Sequence, residues 1–278
     1  MSINADMLER FINILIEEER EKSTVEKYLR DINRFSDWLK SNDITHENCL
    51  KYKEELMNRA LKPATINGIL SALNKFFEVI GRQNCKVKKL RVQRRVFRSV
   101  ERELTKEEYM KLIETAYTTG KERIALLMET ICSTGIRVSE VKSITIDAIN
   151  SGRAEICLKG KVRTILLPNK LCRKLKKYAK KQKIASGEIF LTRSGKSISR
   201  KQIWAEMKKI CKLAGVSTTK VFPHNLRHLF AKTFYKVSRD IVKLADVLGH
   251  SSIETTRIYL VSTGYEHSRD LERLGLLC

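Results

Sequence analysis

Residues 248–259 read LGHSSIETTRIY. Gly249 and Ser251 look like ordinary punctuation: the glycine closes one helix, and Ser251 with Glu254 three residues on is spaced as a capping box for the next. On that next helix, read over about 252–262, Ile253, Arg257, Leu260 and Val261 gather on one side at about 100° per residue. Tyr259 falls roughly opposite their centre. A core aromatic belongs on the stripe, so the spacing predicts a projecting phenol nine residues after His250. A lone tyrosine is more often packing than chemistry, and the residues upstream have to decide which this one is.

Three upstream stretches bear on it. HNLRH (224–228) puts His224 and Arg227 on one helical face, an arrangement that usually serves caps or ion pairs. His228, one residue past Arg227, points about 100° away and reads as structural. TGIRVSEV (134–141) places Arg137 just after a helix, with Glu140 three residues later. Between these, RAEICL and VRTILL flank LKGK and read as a β-hairpin rich in β-branched residues. Its turn offers Lys159 and Lys161, and the K-G pattern favours Lys159.

Each stretch is weak alone. In this order they resemble the tyrosine recombinase (phage integrase) family, whose motif runs Arg, hairpin Lys, H-x-x-R, His, then Tyr nine residues after that His. Here the matching residues are Arg137, Lys159, His224, Arg227, His250 and Tyr259, and the joint match is far more specific than its parts. Glu140 also fits, as a residue that orients the site.

The resemblance implies a site-specific DNA recombinase. Tyr259 would attack a phosphodiester to give a 3′-phosphotyrosyl link and a free 5′ hydroxyl. His224 is implied as the base and Lys159 as the acid on the departing oxygen. The residue types suit the reaction. Two guanidiniums can hold the non-bridging oxygens bidentately while staying charged, and His224 and His250 offer further donors. A free phenol loses its proton only near pH 10, so the nucleophile needs a base. One phosphoester replaces another, so no ATP, metal or other cofactor is expected. Double-stranded DNA and a homotetramer on paired sites are the implied partners, with room for accessory DNA-bending proteins. A type IB topoisomerase and a catalytically silent DNA-binding protein are the competing readings.

Working outward, the fold class reads as mainly α with a small β-sheet. Four helices are expected over MLERFINILIEEER, STVEKYLRDINRFSDWL, HENCLKYKEELMNRA and ATINGILSALNKFFEVIG, with Ser23 and Glu26 spaced as a capping box for the second. Leu29, Ile32, Phe35 and Leu39 recur at helical spacing and read as core. The resemblance implies that residues 1–84 form a core-binding, SAM-like domain and 105–278 the catalytic domain, while 85–104 reads as a basic linker, either solvated or lying along DNA phosphates. Thr105 and Glu108 mark a further capping box, and a helix over about 122–133 ends at Gly135. Helices follow near 168–185, 198–214, 223–236, 238–248, 252–262 and 266–276, with a short strand at EIFLT. In the last helix Leu271, Leu274 and Leu277 form an apolar side, which either packs on its own domain or, as the resemblance implies, docks on a neighbouring subunit. No arm-binding domain is read ahead of the first helices, which points to a core-site enzyme.

The bulk numbers agree with a nucleic-acid partner. Lys and Arg number 55 against 32 Asp and Glu, a formal net charge of +23. So large an excess calls for a polyanion to neutralise it. No apolar run approaches the roughly 20 residues of a membrane span, and the acidic, amphipathic N-terminus is neither a signal nor a transit peptide. A cytoplasmic protein is expected. Seven widely spaced cysteines without a C-x-x-C suggest neither a disulfide framework nor a zinc site.

Overall fold

The computed structural model describes residues 3–40, 42–91, 103–158, 161–260 and 272–273; of these, the side chains of 157, 158 and 161 are outside the description. The chain divides into two units, residues 1–94 and 95–278.

Four helices build the first unit: α1 (Ala5–Glu17), α2 (Lys22–Leu39), α3 (His46–Asn58) and α4 (Pro63–Val79). Their starts follow from local chemistry. Asn4 accepts from the Met7 amide at 3.0 Å, Thr45 accepts from the Asn48 amide at 3.2 Å, and Pro63 occupies the first turn of α4. The expected box at Ser23 does not form. The helix already begins at Lys22, so Ser23 is inside it, and its hydroxyl lies 3.5 Å from the Glu21 carboxylate. Ile32, Phe35 and Leu39 are buried and Leu29 is half-buried. They meet Phe11, Tyr52, Phe76 and Phe77, with Phe11 edge-on to Phe76 at 5.4 Å between ring centres.

Two asparagines one heptad apart extend this unit beyond α4. Asn74 exchanges two hydrogen bonds with the Val87 backbone, and Asn67 does the same with Leu90. Each side-chain amide thus satisfies a backbone N–H and C=O as a neighbouring strand would. Residues 87–90 are strapped to α4 by this means, and 92–102 lie outside the described residues.

The second unit is arranged around α6 (Glu122–Thr134), which is buried on nearly every side. Before it comes α5 (Lys106–Thr118), opened by the expected Thr105–Glu108 box. After it come a 3-10 turn (Val138–Ser143) and α7 (Ile146–Ser151), neither of which the periodicity reveals. An antiparallel hairpin of β1 (Arg153–Leu158) and β2 (Lys161–Leu166) follows, then α8 (Asn169–Lys181) and α9 (Arg200–Ala214). EIFLT is not a strand: it makes only isolated bridges, Glu188 with Thr145 and Leu191 with Ser197. Its partners are single loop residues, so no ladder can propagate.

The last described helices are α10 (Pro223–Ser238), α11 (Ile241–Leu248) and α12 (Ile253–Leu260). They enclose a second, smaller cluster of Ala231, Leu244, Leu248 and Tyr259. The expected helix at 266–276 falls almost wholly outside the described residues. Among those residues, no helix is long and apolar enough to cross a membrane.

Candidate active site

Two glycines shape the ends of the helices that carry the site. Gly135 ends α6 at φ +67, and a Cβ there would lie 2.4 Å from Phe230 Cδ1. Gly249 ends α11 at φ +64, where a Cβ would lie 2.4 Å from Arg163 Cδ. Both positions need the left-handed backbone and the missing side chain. Arg137 follows the first glycine after the buried Ile136, and His250 follows the second directly.

Arg227, in the second turn of α10, is 2 % exposed and forms the centre of the network. Its Nε donates to the Tyr259 hydroxyl at 3.3 Å. One terminal nitrogen donates to the Gly135 carbonyl, and the other to the Leu248 carbonyl at 2.8 Å and to His250 Nε2 at 2.9 Å. Burial lowers its pKa, but a guanidinium keeps its charge through such a shift.

That contact fixes the state of His250. Arginine only donates, so Nε2 must accept and the proton sits on Nδ1. Nδ1 then donates to Thr256 Oγ1 at 2.9 Å. Burial first, and the charges of Arg227, Arg137 and Arg163 next, push His250 down to about 4. His250 is therefore neutral, with both nitrogens engaged, and in this arrangement it holds Arg227 instead of offering a free donor.

Arg137 reaches the site from the start of the 3-10 turn. Glu140, wholly buried, accepts from the Arg137 backbone N–H at 2.7 Å and from its guanidinium at 2.9 Å. The same carboxylate takes a further donor at 2.5 Å from Arg163 on β2. A buried carboxylate is stable only when so fully paired. Three guanidiniums against one carboxylate leave the site strongly positive, as an anionic ligand requires.

Tyr259 corrects the helical-wheel expectation. It does not project: it is 5 % exposed, and α12 packs through Thr256 and Tyr259 while Ile253 and Ile258 stay largely exposed. The helix is short and meets α10 and α11 together, so those partners choose its buried face. Around the phenol stand three imidazoles. The ring of His228 is 4.6 Å away between centres, and those of His224 and His250 are each at 5.6 Å.

Arg137, His224, Arg227, His250 and Tyr259 all line one cleft of about 740 Å³, together with Arg200, Lys201 and Trp204 of α9. A groove of about 810 Å³ beside α6, α8 and α9 contains none of Arg137, His224, Arg227, His250 and Tyr259. Lys159 lies outside the described residues, as does the side chain of Lys161. Sequence reasoning missed Arg163, Thr256 and the closeness of His228 to Tyr259. Strand alternation could have put Arg163 on the inward face with Ile165, and the i, i+3 step could have paired Thr256 with Tyr259. Nothing in the sequence announced that α12 would cross the His228 side of α10.

Against known proteins, the model of the phage integrase family matches residues 102–264, and that of the phage integrase N-terminal SAM-like domain matches residues 8–84. The tyrosine recombinase XerA of Pyrococcus furiosus is 29% identical over 283 residues, covering 99% of this chain and 96% of the relative. Among solved structures, the XerH site-specific recombinase bound to its difH substrate has a TM-score of 0.69 at 20% identity, over 97% of this chain and 84% of that one. A lambda integrase tetramer bound to a Holliday junction has a TM-score of 0.70 at 21% identity, over 91% and 76%. These two structures share the fold.

Proposed function

This chain belongs to the phage integrase family, and from that premise we propose that it is a site-specific DNA recombinase acting through a 3′-phosphotyrosyl intermediate. The observation that carries this reading is a phenol hydroxyl held by the buried Arg227 in a cleft that Arg137 also lines.

In the proposed reaction, Tyr259 Oη attacks the scissile phosphorus and its bond to the 5′ oxygen breaks. His224, which the family resemblance implies as the base and whose ring centre lies 5.6 Å from that of Tyr259, takes the phenol proton. Lys159 supplies a proton to the departing 5′ oxygen. Negative charge gathers on the non-bridging oxygens, facing Arg137 and Arg227. Preorganised donors of this kind are worth roughly 3–4 kcal/mol each when lost. Arg227 has little freedom to rearrange, because two backbone carbonyls and His250 fix its plane. The phosphoester bond is conserved throughout, so religation to a second 5′ hydroxyl needs no energy source.

The partner is double-stranded DNA. A homotetramer on paired sites, by analogy with the lambda integrase tetramer bound to a Holliday junction, is the working form. Residues 1–84, with 85–90 packed onto them, serve as the core-binding domain, the remainder of 85–104 as the linker and 105–278 as the catalytic domain. Trapping a covalent protein–DNA link on a nicked duplex from the DNA flanking its gene tests the reading.

A further inference from the structure

Arg163 does not line the cleft, yet each of its hydrogen bonds ends on a group that one of the two site arginines also uses. Its NH2 donates to Glu140 Oε2 at 2.5 Å, while Arg137 NH1 donates to Glu140 Oε1 at 2.9 Å. Its NH1 donates to the Leu248 carbonyl, which also accepts from Arg227 at 2.8 Å. One guanidinium therefore bridges the anchor of Arg137 to the anchor of Arg227. These anchors belong to the 3-10 turn after α6 and to the end of α11, which are far apart in the chain.

We infer that Arg163 is a positioning residue that sets the spacing of Arg137 and Arg227 across the scissile phosphate; the inference rests on the recombinase reading of this site. Several features are built around it. Strand alternation directs Arg163 to the inward face of β2 together with Ile165, and its side chain is 18% exposed. Gly249 leaves the space that its Cδ and NH1 occupy. The planar fork is needed because a single ammonium cannot reach a carboxylate and a carbonyl in two directions with fixed geometry. Arg163 also sits on the strand that follows Lys159 and Gly160 in the chain, so the same contacts tie the hairpin to both arginines.

The test compares wild type, Arg163→Lys and Arg163→Gln in single-turnover cleavage of the mapped DNA site. One duplex carries the ordinary scissile phosphodiester and the other a methylphosphonate, which has no anionic oxygen for the two arginines to share. If Arg163 positions the pair, both variants cleave the phosphodiester roughly 10–100-fold more slowly, less than the roughly 10²–10³ lost with a donor that touches the reacting group itself. DNA affinity stays within about twofold by the same reasoning, since the variants keep the surface that meets phosphates. The methylphosphonate loses far less, so the ratio of the two rates shrinks. Arg163→Lys keeps the charge and a compact fold but does not restore the ratio. Wild-type rates in Arg163→Lys, or equal losses on both duplexes, overturn the inference while leaving the recombinase reading standing. A wild-type protein that forms no adduct on either duplex removes both.

Discussion

Arg227 Nε lies 3.3 Å from the Tyr259 hydroxyl and donates to it, joining residues that stand 32 positions apart on α10 and α12. This contact puts the proposed nucleophile on the same guanidinium that would receive the phosphate. Arg227→Lys keeps the charge but cannot reach the phenol, two carbonyls and His250 together. Single-turnover cleavage should fall roughly 10²–10³-fold, while DNA affinity measured by gel shift changes little. A variant that cleaves at the wild-type rate would show that the guanidinium geometry is incidental.

Acid should weaken the fold through His250. In the folded chain its pKa is pushed down to about 4, from an ordinary 6.5, by burial and then by the neighbouring arginines. Between those values the unfolded chain binds a proton that the folded chain refuses. Stability therefore rises with pH across this window, is full above about 6.5, and is lost as pH falls toward about 4. Urea unfolding at stepped pH should show this slope in wild type and a shallower one in His250→Asn. Identical slopes would remove His250 as its source.

Thr256 is wholly buried and accepts from His250 Nδ1. Thr256→Val is nearly isosteric but leaves that N–H without an acceptor, which costs about 1–3 kcal/mol. Thr256→Ser keeps the hydroxyl and should recover most of the loss. Urea midpoints of the two variants compare them directly, and a valine variant as stable as wild type would contradict the assigned tautomer.

Much of this arrangement was legible from residue types and spacing. The Thr105 box, the Pro63 start and the Gly135 stop are local signals, and they set helix boundaries through short-range hydrogen bonds that no distant partner disturbs. The Arg137–Glu140 pair is local too, being three residues apart. Only the projection expected of the Tyr259 side chain fails, because burial on α12 is set by α10 and α11 and not by its own helix's stripe. His228 was set aside by an angle measured on its own helix, whereas its contact comes from another. The inward direction of Arg163 follows from alternation, but its two acceptors lie 23 and 85 residues away and belong to tertiary structure.

The central claim is that Tyr259 is the nucleophile, and trapping the covalent intermediate tests it most directly. A nicked suicide duplex of the mapped site is incubated with wild type and with Tyr259→Phe, and denaturing electrophoresis with peptide mapping follows. The account predicts a denaturant-resistant adduct on Tyr259 in wild type, and none in Tyr259→Phe despite near-normal DNA binding. An adduct that persists in the phenylalanine variant, or that maps to another residue, would contradict it.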